Sequence, residues 1–87
     1  MNHLNSVTFE GRVTVPPISD DGMADFVIKQ DMVAIMVMCH NKLITDKLSK
    51  KVWVRVVGKL QSDREGDMSI RAESVERLGR NEYKEAI

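Results

Sequence analysis

The 87-residue chain sets thirteen lysines and arginines against thirteen aspartates and glutamates, so net charge alone marks no polyanionic partner. With 43% hydrophobic and 30% charged residues it has the composition of one globular domain, not of a disordered segment. A chain of this length buries only about 60–65% of its unfolded surface, which favours a closed core or association with another copy.

The lone Cys39 lies inside an apolar run and reads as a buried free thiol, not a disulfide partner. Met1–Asn5 is polar and carries no signal-peptide pattern. No stretch approaches the roughly 20 apolar residues of a membrane span. These features predict a cytoplasmic protein without a membrane partner.

The first periodic segment is LNSVTFEGRVTV. Val7, Phe9, Gly11, Val13 and Val15 alternate with Ser6, Thr8, Glu10, Arg12 and Thr14, the period-2 signature of a half-buried strand. Gly11 falls on the apolar parity, where a missing side chain permits a bend or a close strand approach. PPISDDG is expected to break the strand, because proline cannot donate to a ladder and Asp-Gly favours a turn.

MADFVIKQ resumes the alternation with Ala24, Phe26 and Ile28, and Gln30-Asp31 supplies a short turn. MVAIMVMC follows, apolar on both parities, which predicts a strand covered on both sides. HNKLITDKLSK is the one helix candidate: Asn41 is placed to cap it, and Leu43, Ile44 and Leu48 form a one-sided apolar set.

KKVWVRVVGKLQS alternates again, with Val52, Val54 and Val56 on one parity and Trp53, Arg55 and Lys59 on the other. DREGD reads as a hairpin turn. MSIRAESVERLG supplies a last strand through Met68, Ile70 and Ala72, an irregularity at Glu73-Ser74, then Val75 and Leu78. After Gly79, RNEYKEAI is charged.

The expected fold is therefore all-β: a five-stranded Greek-key OB-fold barrel with one short helix between strands 3 and 4. The domain spans residues 1–79, and 80–87 form a charged C-terminal extension.

The motifs sharpen this. Asn5, Val7, Gly11, Val13 and Pro17 match the opening Asn-x-Val-x-x-x-Gly-x-Leu strand and following proline of the bacterial single-stranded DNA-binding (SSB) protein family. Ala24, Phe26 and Ile28 match its second strand, and Val56, Gly58 and Leu60 its Val-x-Gly-x-Leu strand. Ala72, Glu73, Val75, Leu78 and Gly79 match its closing Ala-Glu-x-Val-x-x-Leu-Gly. Over residues 5–79 the chain thus resembles that family, including its primosomal replication protein N (PriB) branch.

The resemblance implies non-catalytic binding of single-stranded DNA in replication, recombination, repair or replication restart. It also implies a homo-oligomer, as dimer or tetramer, and replication or restart proteins as further partners. Three family features are missing: the long hairpin between strands 2 and 3, the aromatics on strand 3 that stack on bases, and the tryptophan of the loop between strands 4 and 5, where SDREGD has none. No glycine-rich linker or acidic tail ending in Pro-Phe is present either, which fits a core domain of a longer protein or a reduced relative.

Sequence-tolerant single-strand binding needs cations that follow the phosphates and ring faces that stack on bases. Arg12, Lys29, Arg55, Lys59 and Arg71 all fall on outward strand parities, and Arg64 tips the last hairpin, which in OB-folds flanks the ligand groove. Together with Trp53 they form the candidate nucleic-acid-binding set. Glu10, Asp25 and Glu73 share the outward parity and are placed to cancel part of it through cross-strand pairs.

Lys42, Lys47, Lys50 and Lys51 read as a solvated face. Phe9 and Phe26 take core parities, and Tyr83 lies beyond the last strand. Trp53 reads two ways, as a base-stacking ring or as a ring buried beneath the helix, the tail or a partner subunit.

Catalysis finds no set of residues. His40 has Cys39 beside it but no second spaced pair for a metal, and adjacent strand residues point to opposite faces. No phosphate-loop pattern appears, and no cofactor is implied. The competing reading is an OB-fold protein-interaction module that has lost most of its base-stacking residues and binds through its apolar third strand.

Overall fold

In a computed structural model describing residues 6–62 and 64–79, the chain forms five strands. They are β1 (Ser6–Asp20), β2 (Met23–Gln30), β3 (Val33–His40), β4 (Trp53–Ser62) and β5 (Met68–Arg77). The sheet closes in the order β1-β2-β3-β5-β4. All pairings are antiparallel except β3 with β5, which run parallel over the three pairs Met36–Ser69, Val37–Ile70 and Met38–Arg71. A closed five-stranded barrel of this connectivity is the OB-fold.

Closure depends on β1 serving two neighbours. Its first half, Ser6–Arg12, pairs with β4, and its second half, from Arg12 onward, pairs with β2. The bend falls at Gly11, where a Cβ would stand 2.8 Å from the Lys29 carbonyl oxygen; glycine is required because a second backbone passes through the space a side chain would fill.

The prolines do not end β1, contrary to the sequence expectation: the strand runs on to Asp20. Pro16 and Pro17 sit inside the register shift between Val15 and Ile18, where no ladder donor is needed. The β1–β2 turn is then made by Asp21 and Gly22, both at positive φ (54° and 83°), the combination that matches strand twist in a two-residue hairpin. The next turn falls on Asp31-Met32, one residue later than expected, with Asp31 at φ 53°.

The predicted short helix between the third and fourth strands is present only as a 3-10 turn. Asn41–Leu43 make a single 3-10 turn, with Ile44 already extended and no side-chain cap at its start. Ile44 and Thr45 are β-branched and resist helix, and the buried Asn41 Oδ1 has no hydrogen-bond partner among the described residues. The apolar set behind the prediction keeps its packing role: Leu48 is buried in the core, with Leu43 and Ile44 against it.

The core is the inward parity of every strand. Val13, Phe26, Ile28, Val37, Val54, Val56 and Ile70 are fully buried, each worth about 1.5–3 kcal/mol for a large aliphatic or aromatic side chain removed from water. Cys39 is buried among them, its thiol pKa raised by burial and by the nearby Asp25 carboxylate.

On β5 the expected irregularity is a one-residue bulge at Glu73, between the pairs Gly58–Ala72 and Val57–Ser74. The expected two-sided cover of β3 is not supplied among the described residues. Ile35, Val37 and Cys39 point inward, while Met36 is 45% exposed on the outer wall. Residues 80–87 with Tyr83, and His3, lie outside the described residues.

Candidate nucleic-acid interface

The outward residues of β4, β1 and β2 bring three of the predicted site residues into one row. Arg12, at the crossing point of β1, faces Trp53 on one side and Lys29 on the other. Such directly opposed positions hold their Cβ atoms about 4.5–5.5 Å apart. Arg12 is exposed, and Lys29 and Trp53 are half-buried.

Trp53 therefore takes neither of its predicted extremes. It lines a shallow cleft of about 280 Å³ together with Lys50, Lys51, Arg77 and Leu78. Its carbonyl accepts a hydrogen bond from the Leu78 N–H at 2.8 Å, which ties the start of β4 to the end of β5. The half-covered ring is held by this frame while five cations, Arg12, Lys29, Lys50, Lys51 and Arg77, surround the same corner of the barrel.

Three of these escaped the sequence reading. Lys50 and Lys51 stand directly before Trp53 in the chain, which was the available signal. Arg77 reaches this corner only through its pairing with Val54, a register that cannot be counted without knowing where the β5 bulge lies.

Arg55, two residues along β4 on the same face, does something different. Its Nε donates to Glu10 Oε2 at 2.5 Å and its Nη1 to Glu76 Oε1 at 3.0 Å, so the guanidinium bridges β1, β4 and β5. The hydrogen bond to Glu10 is the main reason its pKa is raised above the ordinary arginine value, partial burial opposing and the Glu10 and Glu76 charges adding to the rise. The cancellation expected from Glu10 thus falls on Arg55, whose charge is committed within the sheet.

Lys59 and Arg71 are brought together elsewhere, directly opposite each other on β4 and β5. They line a pocket where β3 leaves β5, along with His40, Lys42 and Glu73. Arg64 is exposed on the β4–β5 loop, near Gly66 at φ 89°. The seven predicted residues therefore form a row around Trp53, a separate pair at Lys59 and Arg71, a neutralised Arg55 and an exposed loop residue Arg64.

Between the two cationic regions, the β2–β3 wall offers an apolar strip. Val27 faces Met36, and Met38 is flanked by Asp25 and Arg71. Beyond it, an apolar cleft of about 1180 Å³ opens at the far end of β4, lined by Val7, Phe9, Ile35, Leu60 and Ile70, with Met36 and Met68 at its edge. Met32 on the adjoining turn is 90% exposed and Met68 47%.

No protein-family model and no curated protein matches the chain. Solved structures share its fold. One is the dimeric N-terminal domain of PriB from Thermoanaerobacter tencongensis, 17% identical over 86% of this chain and 97% of that one, with a TM-score of 0.72. A second is the second single-stranded DNA-binding protein, SSBb, of Mycobacterium smegmatis, 20% identical over 84% of this chain and 87% of that one, with a TM-score of 0.71. A third is a replication protein A heterotrimer bound to single-stranded DNA, where 94% of this chain aligns to 62% of the matched one at 22% identity and a TM-score of 0.73. These likenesses establish the OB-fold barrel.

Proposed function

We propose that the protein is a non-catalytic single-stranded DNA-binding module acting in replication, recombination, repair or replication restart, in the cytoplasm and as a homo-oligomer. The observation that carries this reading is the corner at the start of β4, where the only tryptophan lies in register with Arg12 and Lys29 and shares a cleft with Lys50, Lys51 and Arg77. A ring face among cations is what sequence-tolerant binding uses: stacking contributes about 1–3 kcal/mol per base, and the cations hold the phosphates.

The fold supports the same reading. SSBb is named for single-stranded DNA binding, and the replication protein A neighbour is bound to such a strand. Titration of oligothymidylate at two salt concentrations tests it. The expected result is quenching of Trp53 fluorescence and affinity that falls with salt at a log-log slope of about −0.7 per neutralised phosphate. No binding at low salt overturns it.

A second reading has its own observation. The apolar cleft and the exposed Met32, Met36 and Met68 beside it suit a protein-binding barrel, and methionine is favoured on adaptable protein-binding surfaces. It predicts assembly that depends on protein concentration and ignores both salt and oligonucleotide.

A further inference from the structure

We propose that the pocket at the β3–β5 seam is a second phosphate site, separate from the Trp53 corner, so that each protomer grips a strand at two places. This rests on the single-strand reading above and adds to it where the strand goes.

The pocket arises from how the two strands part. Parallel pairing of β3 and β5 ends at Met38–Arg71; β3 then turns into Asn41–Leu43, while β5 bulges at Glu73. The space between, about 570 Å³, is walled by Lys42 from the turn, Lys59 and Arg71 from the barrel, and His40.

Lys59 and Arg71 are direct cross-strand partners, an arrangement of like charges that destabilises a sheet. The ion pairs of Arg55 with Glu10 and Glu76 lie outside this pocket. Among the described residues Glu73 is the one carboxylate lining the pocket, against Lys42, Lys59 and Arg71. Three cations against one carboxylate leave an excess of two positive charges. A phosphate oxygen placed between the β4 and β5 cations relieves their repulsion and takes charge-assisted hydrogen bonds from both.

Two routes join this pocket to the Trp53 corner. The route along β4 crosses Glu10 and Glu76, whose carboxylates clasp Arg55 and repel a phosphate chain. The route across β2 and β3 runs from Lys29 over Val27, Met36 and Met38 to Arg71, with Asp25 on its far edge. It spans four residues of β3 and two strand spacings, a separation of roughly 15 Å. The strand takes this second route, its phosphates held at both ends and its bases over the methionines.

The test has two arms. In a heteronuclear NMR titration with inorganic phosphate, signals of Lys42, Lys59 and Arg71 should shift and saturate, and the double variant Lys59→Ala/Arg71→Ala should abolish this; absence of a saturable shift at the pocket overturns the site. In the second arm, wild type and double variant are titrated with a thymidine trinucleotide and with oligothymidylate of roughly 8 residues, within the ~4–16 nucleotides one OB-fold covers.

The expected result is that the double variant binds the trinucleotide as wild type does, with full Trp53 quenching. It should bind the longer strand about tenfold more weakly, with a salt slope reduced by about 1.4, that is ~0.7 for each of two lost phosphates. Equal losses for both lengths, or no loss for either, overturn the two-place grip. If phosphate saturates the pocket while no oligonucleotide of any length binds, the single-strand reading fails and the anion site stands. Lys59 and Arg71 are exposed, so their truncation spares the core, and Lys42→Glu on the turn provides an independent variant with the same expected pattern.

Discussion

The two ends of β4 are built from the same alternating strand and present opposite chemistry. At its start, Trp53 stands among Arg12, Lys29, Lys50, Lys51 and Arg77. At its finish, Leu60 opens into a cleft lined with Val7, Phe9, Ile35 and Ile70. The difference comes from the neighbours: β1 and β5 deliver cations at one end, while at the other the strands diverge and leave inward-facing apolar residues at an open mouth. Midway, Arg55 separates the two, its charge spent on Glu10 and Glu76. A cation's place in the sequence thus says little about its availability; its cross-strand partners decide that.

The comparison is broken most severely at Gly58, which joins both ends. A Cβ there would lie inside the Arg71 carbonyl and 2.7 Å from Ala72 Cα, so Gly58→Ala should cost about 3 kcal/mol or more in denaturant unfolding and abolish the properties of both ends together. A stable variant with intact binding would contradict the close approach.

At the cationic end, Trp53→Ala should weaken oligothymidylate binding by about 1–3 kcal/mol, and Arg12→Ala and Lys29→Ala should each lower the salt slope by about 0.7. Arg55→Ala should change neither quantity appreciably. If Arg55→Ala proves as damaging as Arg12→Ala, the distinction drawn from the ion pairs is wrong.

At the apolar end, Met32→Lys combined with Met68→Lys should weaken self-association about tenfold, or 1.4 kcal/mol, by sedimentation equilibrium, leaving Trp53 quenching by oligothymidylate in place. Loss of quenching without loss of assembly would reverse the roles assigned to the two ends.

The smallest effect is expected in the core between them. The folded state holds the Cys39 proton more tightly than the unfolded chain does, because burial and Asp25 raise its pKa. The unfolded chain therefore releases the proton first, and stability is unaffected at neutral pH but falls as pH rises above about 8.5, by at most ~1.4 kcal/mol per unit. Cys39→Ala should remove that slope, measured by urea unfolding across the alkaline range.

Strands and core were legible because a period of two in Val7 to Val13, Ala24 to Ile28 and Val52 to Val56 needs only local reading. The bulge at Glu73-Ser74 and the bend at Gly11 were legible for the same reason, since each interrupts a pattern. The helix misled because its apolar spacing suits a helix, yet Leu43, Ile44 and Leu48 reach the core from a 3-10 turn followed by irregular chain. The run through Pro16 and Pro17 misled because bulges remove the need for their missing donors.

By itself, the sequence determined the five strands, the inward parity that fills the barrel and the outward parity on which Arg12, Lys29, Arg55, Lys59 and Arg71 sit. Only the tertiary structure decided which of those cations meet. Closure brought Arg12 between Trp53 and Lys29, set Arg55 between two carboxylates and left Lys59 facing Arg71. The physical reason is that alternation specifies a face, whereas charge availability depends on register across strands, which the bend at Gly11 and the bulge at Glu73 shift in ways no single strand records.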